Sequence, residues 1–242
     1  MKAFISRRDF LKAAGITAAA AALAGCSSSG GSASGSSAGG KTIKIGVFEP
    51  ASGDNGAGGK QEMLGMQYAN AVQPTVEIGG ETYKVELVYA DNGSSTDKAP
   101  SAAQQLVSEG VSVVLGSYGS GVSIAGSQYF ADAGIPAIGV TCTNPQVTAG
   151  NSHYFRICFL DPFQGTVLAN YAFKELGART AYCLAELGND YDVGLCHYFQ
   201  QAFEAMGGMV ISDTFPTGNS DFTSYLSNAT AIGAEVFFCP VS

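Results

Sequence analysis

The sequence predicts an α/β protein built on a doubly wound parallel sheet. From residue 42 onward, short segments rich in β-branched and aromatic residues alternate with longer segments whose apolar residues recur at helical spacing. The connections between them are short and rich in glycine. Strands joined through helices run parallel with right-handed crossovers, so this alternation predicts a sheet with helices on both faces.

The first units fill the segment before residue 140. Strands are predicted at apolar runs of the buried type, namely 42–48, 83–90, 111–115 and the short run after Gly134-Ile135-Pro136. Helices are predicted where apolar residues follow the 3.6-residue period, at 60–72, 98–109 and after Gly121. In the first of these helices, Leu64, Tyr68 and Val72 recur at that spacing.

A second set of elements follows an extended run at 154–159. Its predicted helices are 164–176, 191–206 and 222–231, and its predicted strands are 180–185, 209–215 and 235–239. We expect a first, complete lobe at 41–155 and a second lobe at 156–242, with a hinge near 155–161. The sequence stops soon after a buried-type strand, so we expect the second lobe to be incomplete.

Two loops of small and hydroxyl residues leave neighbouring strands, at 119–121 and 141–143. The carboxyl ends of adjacent parallel strands open on one crevice, so we expect these loops to lie together. The helix after Gly121 adds free N–H groups and the positive end of its dipole, which favour an anion such as a carboxylate. Ser120, Thr141 and Thr143 are therefore candidate ligand contacts.

Each candidate also has a structural interpretation. Ser120 could cap the helix, and Thr143 could simply precede the turn at Asn144-Pro145. Three acidic residues, Glu49, Asp54 and Asp91, follow strands near the same crevice. Because carboxylates at such places are usually solvated, we assign them no role.

The amino terminus has the pattern of an export signal, predicted at residues 1–25. Arg7 and Arg8 precede an apolar run at 13–23, which is too short to span a bilayer. The paired arginines before Phe10-Leu11-Lys12 resemble a twin-arginine signal. A general secretory signal with two arginines in its basic region is the alternative, so the export route stays open.

A lipid anchor is predicted directly after the signal. Leu23-Ala24-Gly25-Cys26 resembles the lipobox of bacterial lipoproteins, which implies acylation of Cys26; a chance cysteine is the alternative. Residues 26–40 are almost entirely serine, glycine and alanine, which predicts a flexible tether. The protein is then expected outside the cytoplasm, held at a membrane surface in the periplasm or on the cell exterior.

Composition and missing motifs argue against several other functions. The formal net charge of −8, which becomes more negative without the basic signal, disfavours nucleic-acid binding. His153 and His197 are far apart and no cysteine pair has CxxC spacing, so we expect neither a metal site nor a cofactor. Apart from Cys142 in the candidate loop, the cysteines after Cys26 are interpreted as core residues.

An α/β enzyme is the strongest competing class, because doubly wound sheets also host nucleotide chemistry. From residue 42 onward, the sequence contains no P-loop, no complete GxGxxG fingerprint and no GxSxG elbow. We therefore predict a binding protein and assign no catalytic residue.

From about Lys41 onward, the chain resembles the amino-terminal part of type I periplasmic substrate-binding proteins of ABC transporters. The similar branch is that of the branched-chain amino-acid (leucine/isoleucine/valine) receptors. The landmarks are Ile45-Gly46-Val47, Ser52-Gly53, Leu115-Gly116 with Ser120, Gly134-Ile135-Pro136, Thr143-Asn144-Pro145, Phe155-Arg156 with Asp161, Gln164-Gly165 and Tyr191.

The resemblance implies that two lobes close on an amino acid and that the protein, expected to be a monomer, delivers it to a membrane permease. It implies that Ser120, Thr141 and Thr143 hold the α-carboxylate and that Tyr191 covers the ligand from the second lobe. The family's acidic partner for the ligand ammonium would lie beyond Ser242, and Asp192 stands where the family usually has glycine. A ligand-sensing lipoprotein that signals to a membrane receptor is the alternative.

Overall fold

A computed structural model describes residues 41–241. The predicted signal at 1–25, the tether at 26–40 and the candidate lipidation site Cys26 lie outside these residues. The described chain forms two sheets with helices on both faces, which confirms the predicted α/β class. We call the first sheet with its helices the first lobe, and the second sheet with its helices the second lobe.

The first sheet has six strands in the order β2-β3-β1-β4-β5-β6. Every neighbouring pair is parallel except β2 and β3, which form an antiparallel hairpin at one edge. The strands are β1 (Thr42–Glu49), β2 (Thr75–Ile78), β3 (Glu81–Asp91), β4 (Val113–Leu115), β5 (Ala137–Gly139) and β6 (Tyr154–Arg156).

Three helices pack against the first sheet: α1 (Gly56–Val72), α2 (Ala99–Ser108) and α3 (Ser120–Asp132). On one face, α2 and α3 enclose a buried core that includes Phe48 from β1, Leu106 from α2 and Phe130 from α3. The rings of Phe48 and Phe130 meet edge to face, with centroids 5.3 Å apart. This core fixes the start of α3 at the carboxyl edge of β4.

Helix α1 exists as predicted but its apolar stripe faces solvent. The side chains of Leu64, Tyr68 and Val72 are more than half exposed, whereas Met66 is buried. Burial of Met66 and the close approach of Gly56 and Gly59 hold this helix to the sheet instead.

The second sheet has three parallel strands in the order β8-β7-β9, namely β7 (Thr180–Glu186), β8 (Met209–Phe215) and β9 (Val236–Phe238). Its helices are α4 (Asp161–Asn170), which continues into a π-helical turn at Tyr171–Glu175, α5 (Asp190–Ala205) and α6 (Thr223–Ala231). The core beneath α4 and α5 includes Phe199 and Phe203 from α5, and a smaller core beneath α6 includes Tyr182 and Leu184 from β7.

The chain passes from the first sheet to the second lobe through residues 157–160, between the end of β6 and the start of α4. Within residues 41–241, none of the helices has the length and apolarity that a membrane crossing requires. No group of histidine, cysteine and acidic residues in the same range is arranged to hold a metal ion.

The interpretation of Cys142 as a possible site residue is wrong. Its side chain is fully buried in the first-lobe core, because the loop turns it inward beneath Gly139. Cys183 and Cys196 are buried in the second-lobe core, as predicted for core residues.

Candidate functional site

A cavity of about 660 Å³ lies between the two lobes. The first lobe lines it with the loops that follow β1, β3, β4 and β5, and the second lobe with the segment from the end of β7 to the start of α5. The four residues singled out from the sequence, Ser120, Thr141, Thr143 and Tyr191, all line this cavity. The topology thus brings the two predicted loops together at one rim, as expected for adjacent parallel strands.

Ser120 is the first residue of α3 and is 3% exposed. Its Oγ accepts a hydrogen bond from the backbone N–H of Asn144, at 3.2 Å. The expectation that Ser120 caps the helix is wrong, because Gly119 occupies the cap position and no side chain within 41–241 caps α3. The Ser120 hydroxyl therefore ties the helix start to the loop after β5 and keeps its own proton available as a donor.

Thr143 is 6% exposed, and its buried hydroxyl lies next to the Asp161 carboxyl. Its backbone carbonyl accepts the N–H of Asp161 at 3.1 Å, which joins the loop to the first turn of α4. Burial raises the pKa of Asp161, and the neighbouring Thr143 hydroxyl and Arg156 guanidinium act in the opposite direction. A ligand at this wall would therefore compete with Asp161 for the Thr143 hydroxyl.

The guanidinium of Arg156 holds the loop that carries Thr143. One nitrogen donates to the carbonyls of Cys142 and Asn144 at 3.0 and 2.7 Å, and the other donates to Pro145 O and Thr148 Oγ1 at 3.1 and 2.6 Å. Because the planar guanidinium of Arg156 donates to four acceptors at once, it fixes the path of the backbone in this loop. The sequence marked Arg156 as a landmark but gave no sign of this role.

Thr141 uses its hydroxyl within the first lobe. Its Oγ1 lies 2.6 Å from Glu62 Oε1 and 3.1 Å from the carbonyl oxygen of Tyr118. These contacts link the loop after β5 both to α1 and to the loop after β4. A hydroxyl engaged in this way is less available to a ligand.

Glu49 is buried and protonated beneath the cavity wall, which corrects its interpretation as a solvated carboxylate. It is 1% exposed, and its Oε2 accepts the N–H of Tyr118 at 2.8 Å. Burial, together with the hydrogen bond and the negative charge of Glu62, raises the pKa of Glu49 to about 10. Asp91 does behave as a surface group, since it accepts N–H bonds from the loop after β1.

Tyr191 lies in the first turn of α5 and is half-buried. The side chain of Asn189 caps this helix by accepting the N–H groups of Tyr191 and Asp192, at 3.1 and 3.3 Å. Asp192 is buried and helical, and its Oδ2 accepts the N–H of Glu186 at 3.3 Å. The aspartate at the family's glycine position is thus accommodated within α5, where it ties the helix to β7.

Asn144 and Asp190 connect the two lobes, and the sequence gave no signal for either role. The Asn144 side chain donates to the backbone carbonyl of Asp190 at 2.7 Å. The Asp190 carboxylate also approaches the start of α3: its Oδ2 lies 2.9 Å from the position that a Cβ would occupy at Gly121. A side chain at position 121 would require the Asp190 carboxylate to shift.

Known proteins with the same architecture include receptors for amino acids. The chain is 32% identical over 200 residues to a Leu/Ile/Val-binding protein homolog of Brucella melitensis, and the match covers 81% of this chain and 53% of that protein. A similar match, also 32% identical, is to an amino acid binding protein of Pseudomonas aeruginosa. The chain spans about half the length of the curated relatives it matches.

Solved structures similar to this chain also include amino acid binding proteins. A leucine binding protein of Thermotoga maritima is similar at 34% identity and a TM-score of 0.77, over 81% of this chain and 55% of that one. A branched-chain amino acid binding protein of Streptococcus pneumoniae, solved with isoleucine, is similar at 31% identity and a TM-score of 0.69, over 78% and 54% of the two chains.

The matching family models cover most of the sequence. Residues 5–24 match the signal sequence of the twin-arginine translocation pathway, which indicates an exported protein. Residues 42–241 match the family described as periplasmic binding protein. The named relatives are binding proteins rather than enzymes, in agreement with the predicted class. From this match and from the fold, the chain belongs to the periplasmic binding protein family.

Proposed function

We propose that this chain carries the binding cleft of an extracytoplasmic receptor that captures an amino acid, branched-chain or similar, for an ABC transporter permease. The observation that carries the proposal is the cavity of about 660 Å³, which Ser120 and Thr143 line from the first lobe and Tyr191 lines from the second. The leucine binding protein and the isoleucine complex among the similar structures support an amino acid as ligand.

The ligand carboxylate would bind at the start of α3. The first N–H groups of a helix have no acceptor inside it, and the helix dipole adds positive potential there. Ser120, at the first helical position, and Thr143 would add hydroxyl donors. Charge-assisted hydrogen bonds from such donors replace the water around a carboxylate. A similar protein from R. palustris, 26% identical, was solved with another carboxylate, 4-hydroxybenzoate.

Closure of the lobes would couple binding to transport. Tyr191 and the start of α5 face the carboxylate site from the second lobe, and the connection at 157–160 would serve as the hinge. A ligand that contacts both lobes favours the closed population, because its affinity differs between the open and closed states. The closed form would then present the surface that a permease recognises.

Cys26 would attach the receptor to the membrane. Acylation at this residue, followed by the serine- and glycine-rich tether at 26–40, would keep the cleft within reach of a permease. The binding lobes would thus act as a tethered, extracytoplasmic domain.

Calorimetric titration of the chain with the proteinogenic amino acids and 4-hydroxybenzoate tests this proposal. We expect saturable binding of at least one amino acid, weakened about tenfold by Thr143→Val, which removes one hydrogen bond at constant shape. Thr166→Val is the matched control, because the Thr166 hydroxyl donates to Pro162 O of its own helix and Thr166 does not line the cavity. Absence of binding for the whole panel would overturn the proposed function.

A further inference from the structure

Glu49 and Glu62 form a pair of carboxyl groups behind the cavity wall. Glu49 ends β1 and is 1% exposed, and Glu62 reaches it from α1. One oxygen of each group, Glu49 Oε1 and Glu62 Oε2, is buried and has no N–H or O–H donor among the other residues of 41–241. The two carboxyl groups are hydrogen-bonded to each other. This contact requires a proton, because two ionised carboxylates offer acceptors only.

The surroundings of the pair favour one retained proton. Within 41–241, neither carboxyl forms an ion pair that would offset a second negative charge. The other titratable side chains beside the pair are Tyr118, Tyr154 and Cys158, and none of these groups can carry a positive charge. Two adjacent buried carboxylates would repel each other, so the pair keeps one proton and a single negative charge at neutral pH.

The outer oxygens of the pair hold two residues of the cavity wall. Glu49 Oε2 accepts the N–H of Tyr118 at 2.8 Å, and Glu62 Oε1 lies 2.6 Å from Thr141 Oγ1. Because the single proton lies between the two carboxyls, Glu62 accepts at this second contact and Thr141 donates. Tyr118 and Thr141 both line the cavity, whereas the two glutamates do not.

Tyr118 and Thr141 also support each other. Thr141 Oγ1 lies 3.1 Å from the carbonyl oxygen of Tyr118. The Tyr118 ring packs against Gly58 of α1, where a Cβ would overlap the ring. Strand β1, helix α1 and the loops after β4 and β5 therefore meet at one carboxyl pair. Loss of its proton would place two negative charges side by side and force these elements apart.

We propose that Glu49 and Glu62 share one proton and act as positioning residues that hold Tyr118 and Thr141 in place on the cavity wall. The inference rests on the proposed function, because it assigns to the pair a role in shaping the same binding cleft. Any effect of the pair on a ligand passes through the two wall residues, since neither glutamate lines the cavity.

Infrared difference spectroscopy detects the shared proton without a ligand. At about pH 8, well above the ordinary pKa of a glutamate, we expect the wild type to show the C=O band of a protonated carboxyl that Glu49→Gln lacks. The band should move to higher frequency in Glu62→Leu, because the Glu49 carboxyl then loses its hydrogen-bond partner. Absence of the band from the wild type, or an unmoved band in Glu62→Leu, would overturn the shared proton.

Amide hydrogen exchange measures the positioning of the wall. Glu62→Gln keeps an acceptor for Thr141 and offers an N–H to Glu49, whereas Glu62→Leu removes both. We expect the Tyr118 amide to exchange about five- to tenfold faster in Glu62→Leu and at the wild-type rate in Glu62→Gln, with β7 unchanged in both. Gln61→Leu, at an exposed position of the same helix, is the matched control. Equal rates for Glu62→Leu and the wild type, or for the two Glu62 variants, would overturn the positioning role.

Titration with L-leucine connects the pair to binding. Affinity should fall about threefold or more in Glu62→Leu and stay within about twofold of the wild type in Glu62→Gln and Gln61→Leu. Unchanged affinity in Glu62→Leu would overturn the link between the pair and the cleft. If the wild type binds neither L-leucine nor any other amino acid, the proposed function fails, whereas the infrared and exchange results still decide the role of the pair.

Discussion

Ser120 accepts a hydrogen bond from the backbone N–H of Asn144, and this bond joins the first turn of α3 to the loop after β5. The two residues are 24 positions apart, and both are almost fully buried. The contact places the helix start and the Thr143 hydroxyl on one wall of the cavity. This bond therefore supports the wall together with the hydrogen bonds that Arg156 donates to the same loop.

Ser120→Ala should lower the free energy of unfolding by about 1–3 kcal/mol, because the buried N–H of Asn144 loses its acceptor. Urea denaturation monitored by circular dichroism measures the change. Ser101→Ala is the control, since the exposed Ser101 hydroxyl bonds Lys98 O in a local turn, and we expect a change within about 0.5 kcal/mol. Equal stability of Ser120→Ala and the wild type would show that the bond contributes nothing.

Glu49→Gln should stabilise the protein by a margin that grows with pH. The pKa of Glu49 is raised to about 10 in the folded state, so folding keeps a proton that the unfolded chain releases above its ordinary pKa of 4.5. The contribution of Glu49 to stability is therefore complete below that value and falls by about 1.4 kcal/mol per pH unit above it. Glutamine keeps the acceptor for Tyr118 and offers an N–H to Glu62 without binding a proton.

Unfolding in urea at pH 5, 7 and 8.5 checks this prediction. The free energy of unfolding of Glu49→Gln should exceed that of the wild type by a margin that increases by roughly 2 kcal/mol or more between pH 5 and 7. A difference that stays constant across these pH values would mean that Glu49 ionises normally in the folded protein.

Arg156→Lys should loosen the loop that carries Thr143. A single ammonium cannot satisfy the four acceptors that the guanidinium binds, so their hydrogen bonds would be partly lost. We expect faster amide hydrogen exchange at residues 141–149. Arg179→Lys is the matched control, because Arg179 donates in the same way to three carbonyls of the second lobe.

The control should change exchange near residues 173–179 and leave the 141–149 loop unaltered. If Arg156→Lys instead makes amide hydrogen exchange uniformly faster throughout both lobes, the substitution destabilises the whole protein. The role of Arg156 as a loop anchor would then be rejected.

The elements that follow hydrophobic periodicity could be predicted from the sequence. The predicted strand at 209–215 matches β8, and the predicted helix at 191–206 differs from α5 by one residue at each end. Strand β2 was not predicted, since it forms an exposed edge hairpin and adds no buried residue that a pattern would show.

The position of the candidate site could be predicted from the sequence, but several of its side-chain contacts could not. Parallel topology alone places Ser120 and Thr143 at one rim. The buried state of Glu49 depends on Glu62 in α1, and the approach of Asp190 to Gly121 depends on how the lobes pack. Contacts between residues so distant in sequence leave no local pattern. A local pattern can also leave burial undetermined. The helical spacing of Leu64, Tyr68 and Val72 predicted the helix but did not predict which of its faces is buried.

Cys26→Ser should release the exported protein from membranes. If Cys26 carries acyl chains, the wild type will partition into the detergent phase of a Triton X-114 extract and the variant into the aqueous phase. Cys158→Ser, in the described part of the chain, is the control and should partition like the wild type. Aqueous partition of the wild type would contradict lipid anchoring.

The most direct test of the central claim pairs a change in the protein with a change in the ligand. Wild type and Thr143→Val are titrated with the amino acid that binds most tightly and, by competition, with the corresponding amine that lacks the carboxylate. We predict that Thr143→Val weakens the amino acid about tenfold and leaves the amine unchanged, because in the proposed site the hydroxyl would donate to the carboxylate. An equal loss for both ligands, or no loss for either, would contradict a carboxylate site at Ser120 and Thr143.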